Sequence, residues 1–366
     1  MSGIRGSKKI RVGVVGASPD RGWAVATHLP ALAALGDAYE LAAVSTTRQA
    51  SADEAARRFG ARHAFDRAEP LIEHPDVDLV VVSVRAPEHA RPVRAAVAAK
   101  KDILCEWPLG VSLAEAAELA GAAEAAGVRT AIGLQRRLAP SVRHLRELIA
   151  EGYVGRLRSV TMHVALPMGG ARRPRAEAYV ADAKNGVHVL TIVAAHFLDT
   201  VLSAVGELES LSSLVARQFD ETTVIETGEV VPVTAPDQTL LSGTLVGGAV
   251  VSAHFETAKR NGPILNCTFT GTEGDLVLSH DLSLSGARGD GQPLQPIPTP
   301  ERLSWIPRAG LSDDAYQIAQ LYAAFAKDLA EGTSVAPTFR DALKLHRLVD
   351  TIAEASAAGK RVAWKG

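Results

Sequence analysis

The chain has 366 residues, 47% hydrophobic and 22% charged, which is enough for two or three domains with a substantial core. Lys and Arg number 39 against 41 for Asp and Glu, a net charge of −2 that excludes the basic footprint of a nucleic-acid or acidic-membrane binder and leaves a small-molecule substrate as the expected partner. Cys105 and Cys267 are too few for a disulfide framework, no His, Cys or carboxylate spacing suggests a metal, and no run reaches the roughly 18 apolar residues of a spanning helix. The charged N-terminus is followed by no apolar leader core, so a cytoplasmic location without membrane attachment is expected.

From Ile10 to Leu134, short apolar runs alternate with Ala-rich stretches, the pattern of βαβ units and a parallel sheet. The runs are Ile10–Val15, Tyr39–Val44, Val77–Val84, Asp102–Cys105 and Arg129–Leu134. Leu79–Val84 is apolar on both faces, as a central strand covered by helices should be. Ser112-Leu-Ala-Glu115 reads as a capping box opening a helix that Gly127 ends.

After a helix around Ser141–Glu151, strands follow without crossover helices: Leu157–Leu166, Glu207–Arg217, Thr239–Leu245, Ala249–Thr257, Ile264–Gly271 and Leu276–Ser279. Short turns between the later strands predict a largely antiparallel sheet. A helix is expected between about Gly186 and Val205, and two more at Asp313–Gly332 and Arg340–Ala358. Segments Met168–Ala183 and Arg288–Arg308 read as loops. The expected architecture is an α/β Rossmann domain with a parallel doubly wound sheet over residues 1–134. An α+β substrate and oligomerisation domain with a large, mostly antiparallel sheet follows over 135–366, its C-terminal helices able to pack back on the first. The open antiparallel face calls for a homodimer or homotetramer.

The first strand runs into Gly16-Ala-Ser-Pro-Asp-Arg-Gly22 and a helix near Trp23, a unit that presents backbone N–H groups and a helix N-terminus to a pyrophosphate. Ser18 takes the place of the second glycine of the usual fingerprint, and Gly22 comes one residue late. At the end of the second strand Thr46 and Arg48 replace the carboxylate that NAD sites place on the ribose, which favours NADP over NAD. Glu106, at a strand C-terminus, is expected to face the ligand. His196 has the titration range of a proton donor, and Tyr179, Asp182, Lys184 and His188 lie on the loop before its helix. Asp199 shares a helical face with His196, and Arg136 and Arg137 are candidates for holding substrate or phosphate or for interdomain ion pairs.

An ordered set of phrases resembles the Gfo/Idh/MocA oxidoreductases: Gly16, Gly22 and His28-Leu-Pro30; His74-Pro75-Asp76-Val77-Asp78; Pro87-Glu-His89; Glu106-Trp107-Pro108; Gly152-Tyr-Val-Gly155; and Gly271-Thr-Glu-Gly274. Gly22-Trp23-Ala24, Cys105-Glu106-Trp107, Leu134-Gln135-Arg136 and Asn185-Gly186-Val187 are similar to the branch of the yeast galactose-pathway repressor. The resemblance implies dinucleotide contacts from Pro87, His89, Glu106, Trp107 and Gln135 as well as from Gly16, Ser18, Gly22, Trp23, Thr46 and Arg48. It also implies a catalytic Lys where Trp107 stands and an Asp where Ile192 stands, with His196 retained.

The expected activity is therefore NAD(P)-dependent hydride transfer to or from a sugar, cyclitol or related carbonyl or imine, with His196, Tyr179 or Lys184 handling the proton. The alternatives are a catalytically silent NAD(P)-binding regulator with a protein partner, and redox-neutral use of a tightly held NAD in a lyase or hydrolase.

Overall fold

The computed structural model describes residues 8–366 and divides into two compact units, one comprising the chain through Leu138 together with Ser304–Leu343, the other Ala139–Leu303 with Lys344–Gly366. The first unit contains strands β1 (Ile10–Val15), β2 (Tyr39–Ser45), β3 (His63–Phe65), β4 (Leu79–Val82), β5 (Asp102–Cys105) and β6 (Thr130–Ile132). They form one parallel sheet in the order β3-β2-β1-β4-β5-β6, the reversal beside β1 that defines a doubly wound fold. All four residues of β4 are fully buried, as its unbroken valine run requires. Helices α1 (Leu29–Ala34), α2 (Gln49–Phe59), α3 (Ala68–Glu73), α4 (Ala90–Ala98) and α5 (Leu113–Ala126) connect the strands. The Ser112 hydroxyl accepts from the Glu115 N–H at 3.2 Å, while the Glu115 carboxylate accepts from the Val111 N–H.

The boundary departs from the expected single cut near residue 134. Helix α6 (Pro140–Ala150) and helix α7 (Ala195–Val205) belong to the second unit, but α8 (Asp313–Glu331) belongs to the first. Its Ile318, Leu321, Tyr322 and Phe325 join Val12, Leu29, Leu32 and Tyr39 in one core. Every residue from Gln317 to Ala326 is buried, so α8 is a core helix of the first unit. Helix α9 (Phe339–Ala358) starts on a cap in which Asp341 accepts from the N–H and hydroxyl of Thr338.

The second unit is built on strands β7 (Leu157–Ala165), β8 (Arg172–Arg173), β9 (Leu208–Ala216), β10 (Glu221–Val224), β11 (Val230–Pro232), β12 (Gln238–Leu245), β13 (Val250–Glu256), β14 (Ile264–Gly271), β15 (Gly274–Ser279), β16 (Leu284–Arg288), β17 (Gln295–Ile297) and β18 (Val362–Ala363). Nine of them make a sheet in the order β17-β16-β15-β14-β7-β13-β12-β9-β18, antiparallel except at β7–β13. Strands β11, β10 and β8 form a small separate sheet. Alternation sets Val160, Met162 and Val164 of β7 beside Phe269, Cys267, Ala253 and Phe255 on the buried face. The opposite face carries a row of Leu214, Leu240, His254 and His163, with Leu214 and Leu240 exposed. Segment Ala183–Val205 is long and apolar enough to cross a membrane by length and composition; 56% of its most apolar window is buried inside the unit.

Two of the glycine phrases meet in this unit. The Glu273 N–H donates to the Val154 carbonyl at 3.0 Å, and the Arg156 N–H donates to the Thr272 hydroxyl, so the turn after α6 is laced to the β14–β15 turn. A Cβ on Gly271 would lie 1.9 Å from the Val154 carbonyl oxygen, and backbone cannot yield to it. Gly271→Ala should therefore cost about 1–3 kcal/mol or more in urea unfolding, while Gly247→Ala, with nothing within 4 Å of the added atom, should leave the midpoint near wild type.

Candidate functional site

In the first unit the ends of three strands converge on the glycine loop. The Ser45 carbonyl accepts from the N–H groups of both Gly16 and Ala17, at 3.0 and 3.1 Å. Gly16 adopts a φ of 96°, and a Cβ there would lie 2.4 Å from the Ser83 carbonyl oxygen, so only glycine lets the loop cross β4 this closely. Arg58 donates to the Pro19 carbonyl and lies 3.6 Å from Asp20, which ties the loop to α2. Ser18 is half-buried, and Gly22 and Trp23 are exposed where a π-helical turn, Ala24–His28, begins. Such turns are rare and recur at functional sites.

At the ribose end, the Thr46 hydroxyl lies 2.5 Å from Ser51 Oγ and 2.9 Å from the Arg48 carbonyl. It is committed to the turn before α2. Arg48 is exposed, and no Asp or Glu stands in the first turn of α2.

Two polar atoms at strand ends test the fit of a dinucleotide. Ser83 Oγ, just past β4, and Gln135 Oε1, just past β6, are both buried without a hydrogen-bond partner. Buried polar atoms are nearly always satisfied, and a doubly wound sheet binds ligands at the carboxyl ends of its strands. The residues present fit the cofactor.

Three of the expected contacts have structural work of their own. His89 is buried, with Nδ1 2.8 Å from the Pro108 carbonyl and Nε2 3.1 Å from that of Val84, so it braces the turn after β5, while Pro87 lies in the short turn before it. Glu106 Oε1 lies 2.8 Å from His28 Nε2, and His28 Nδ1 lies 2.8 Å from the Tyr322 hydroxyl. A carboxylate only accepts, so Nε2 donates to Glu106 and Nδ1 accepts from Tyr322. Burial raises the Tyr322 and Tyr39 pKa values well above their ordinary range, which keeps both as O–H donors. Trp107 is buried at 5% exposure. Arg137 pairs with Asp341 at 2.8 Å, and both residues belong to the first unit, so this ion pair is not the interdomain one that the sequence allowed. Arg136 is half-buried, and burial lowers its pKa.

The second unit holds a cavity of about 200 Å³ whose walls include Met168, Tyr179, Val187, Ile192, Val193 and Pro236. Its polar lining consists of Arg173, Glu177, Tyr179, His188 and Thr257. Arg173 projects from β8, 7% exposed, and Nε has no hydrogen-bond partner. Burial lowers its pKa, with Glu177 and Asp237 opposing that shift from a distance. His188 caps a second π-helical turn, Val189–Ala194, its N–H donating to the Thr191 hydroxyl. Its Nδ1 is buried and unpaired, and burial alone pushes its pKa down to about 4.

Of the sequence-derived proton donors, Tyr179 lines this cavity. His196 is half-buried in the first turn of α7, and Lys184 is exposed in a 3-10 turn whose N–H is capped by Asp182; neither is among the lining residues. Asp199 is buried on α7. Arg173 escapes sequence reasoning because it sits in a Pro- and Gly-rich stretch that reads as loop. Its only sequence signal is the basic run Arg172-Arg173-Pro174-Arg175.

Among the described residues His63, His74 and Asp76 bring ligand atoms within 4.8 Å of one another. Arg11 holds the Asp76 carboxylate at 2.8 Å and Arg62 lies 3.9 Å away, so cationic side chains already compensate it.

Comparison with known proteins places these features. Residues 10–134 match the oxidoreductase family with an NAD-binding Rossmann fold, GFO_IDH_MocA, and residues 140–280 match the C-terminal domain of Gal80p. The galactose/lactose metabolism regulatory protein GAL80 of Saccharomyces cerevisiae is 27% identical over 80% of this chain and 74% of its own length. The crystal structure of a super-repressor mutant of Gal80p from the same yeast superposes with a TM-score of 0.87 at 25% identity, covering 97% of this chain and 98% of that one. Dehydrogenase aclE of Aspergillus oryzae is 34% identical over 60% of this chain and 62% of its own. Levoglucosan dehydrogenase of Pseudarthrobacter phenanthrenivorans is 24% identical over 84% of this chain and 85% of its own.

Two histidines of the second unit make its stability pH-dependent. His188 and His346 are both pushed down to about 4 from an ordinary 6.5 by burial, so between those values the unfolded chain binds the extra protons. Stability should be fully present above pH 6.5 and fall toward pH 4, by up to about 3 kcal/mol per histidine. Urea unfolding of His188→Gln from pH 7.5 to 4.5 should show a shallower fall than wild type; parallel curves would remove His188 as a cause.

Proposed function

The chain belongs to the Gfo/Idh/MocA oxidoreductase family, with a second half of the Gal80 type, and on that premise we propose that it is an NAD(P)-dependent oxidoreductase acting on a sugar, cyclitol or related small carbonyl or imine compound. The observation that carries the reading is the cavity of about 200 Å³ in the second unit, already formed and equipped with a tyrosine and a buried cation. A bound nicotinamide supplies hydride exchange. The protein's share is to hold the dinucleotide on the loop from Gly16 to Gly22, to seat the substrate in the cavity and to move one proton. Tyr179 lines the cavity and takes that last role in this reading, with His196 and Lys184 as the other candidates. Arg48, free of a competing carboxylate at the ribose end, supports a preference for NADP(H).

A regulator of the Gal80 type is the second reading, favoured by one specific observation. The two acid–base positions of the family are apolar here: Trp107 is buried, and Ile192 lines the cavity. Turnover separates the two. Calorimetric titration should show tighter NADP(H) than NAD(H), with Arg48→Ala erasing the difference. A panel of sugars, cyclitols and ketones should then change absorbance at the nicotinamide band, with Tyr179→Phe lowering kcat by about 10²-fold or more. His196→Ala and Lys184→Ala measured beside it assign the proton. Cofactor binding without turnover of any compound would make the protein a regulator.

Exposed Leu214 and Leu240, in one row with half-buried His254 and His163, support assembly with a second copy through that face. Light scattering at micromolar concentration should give the mass of a dimer or tetramer, and a monomer mass would overturn this.

A further inference from the structure

We infer that the cavity of the second unit takes a small carboxylate with an apolar body, and that Arg173 is the residue that binds its acid group. The inference rests on the reading of the cavity as the substrate site and narrows its substrate class.

Arg173 is 7% exposed, yet among the described residues no carboxylate lies within ion-pair distance and its Nε donates to nothing. A buried guanidinium offers five N–H donors, and leaving them unmatched is costly. Glu177 lines the cavity and is exposed, and the nearby Asp237 accepts from the Gln218 N–H at 2.8 Å through Oδ2, while its buried Oδ1 has no hydrogen-bond partner. Neither closes on the arginine. The cation therefore stands over the cavity as an open half of an ion pair, and a bidentate carboxylate is the group its geometry matches.

The rest of the lining decides the body of the ligand. Met168, Val180, Val187, Ile192, Val193 and Pro236 supply most of the wall. His188, neutral near pH 7 because burial pushes it down to about 4, brings no second charge. A polyhydroxylated sugar would bury several hydroxyls against this surface with few partners, at a cost of about 1–3 kcal/mol for each one left unpaired. A hydroxy or keto acid with an aliphatic or ring body meets the apolar wall with carbon and Arg173 with its one anionic group. Thr257 adds one hydroxyl to the same lining.

The test is ligand binding by the full chain without cofactor, read by calorimetry and thermal shift over matched pairs: cyclohexanecarboxylate against cyclohexylmethanol, benzoate against benzamide, galacturonate against galactose. The carboxylate of each apolar pair should bind at least about 10-fold tighter than its neutral partner. Arg173→Gln should erase that difference, and Arg173→Lys should restore part of it. If Arg173→Gln does not fold, the wild-type pairs decide alone. Equal binding within the apolar pairs, or galactose binding as tightly as the best carboxylate, overturns the inference. Carboxylate selectivity without turnover would overturn the oxidoreductase reading and leave this one standing. Turnover of neutral compounds without carboxylate selectivity would do the reverse.

Discussion

The first unit turns on a single buried histidine. His28 joins the helix after the glycine loop to the end of β5 through Glu106 and to α8 through Tyr322, a residue 294 positions away in sequence. Tyr39, at the start of β2, closes the circuit by donating to the Tyr322 carbonyl at 2.7 Å. All these atoms are buried or partly buried, so losing any member strands its partners at about 1–3 kcal/mol each. The circuit brings the Ser304–Leu343 segment into the Rossmann unit and fixes the carboxylate at the cofactor end of the sheet. Glu106 thereby has an architectural task and is not a spare acid–base group beside Trp107.

Where polar groups are left over is as informative as where they are joined. In the first unit Ser83 Oγ and Gln135 Oε1 lack partners at the strand ends where a dinucleotide belongs; in the second, Arg173 Nε and His188 Nδ1 lack them at the cavity. Native proteins rarely tolerate this, so such atoms mark places built for a molecule that supplies the missing half. Asp237 Oδ1, His144 Nδ1, Thr239 Oγ1 and Gln317 Oε1 are also unpartnered, and nothing in the structure explains them.

The sheets are legible in the sequence because their strands are long and their burial periodic. Ile10–Val15, Asp102–Cys105 and Ile264–Gly271 begin and end where the apolar pattern does. The short strands escape. β3, β8, β11 and β17 have two or three residues each, too few for alternation to register, and their pairing is decided by neighbours distant in sequence. The site is legible on the dinucleotide side, where glycine geometry leaves a local mark, and much less so in the second unit. Arg173 and His188 become a pair of cavity residues only when β8 and the π-helical turn after His188 are folded. Helix α8 is legible as a helix, but its depth is not: alanines at 315, 319, 323, 324 and 326 carry little hydrophobic signal, yet all are buried.

The replacement at 192 acquires a meaning once Arg173 is included. Aspartate is polar at that position in the enzymes the sequence resembles; here isoleucine lines the cavity, which lowers the local dielectric. An apolar cavity strengthens every charge interaction that remains in it. One cation, with no carboxylate among the described residues within ion-pair distance, then carries the polar recognition that several groups would otherwise share. The same surroundings explain why His188 is held neutral, since no carboxylate is close enough to support its charge. Recognition in the second unit thus rests on one strong interaction in a dry setting and not on a ring of weak ones, whether the bound molecule is turned over or only sensed.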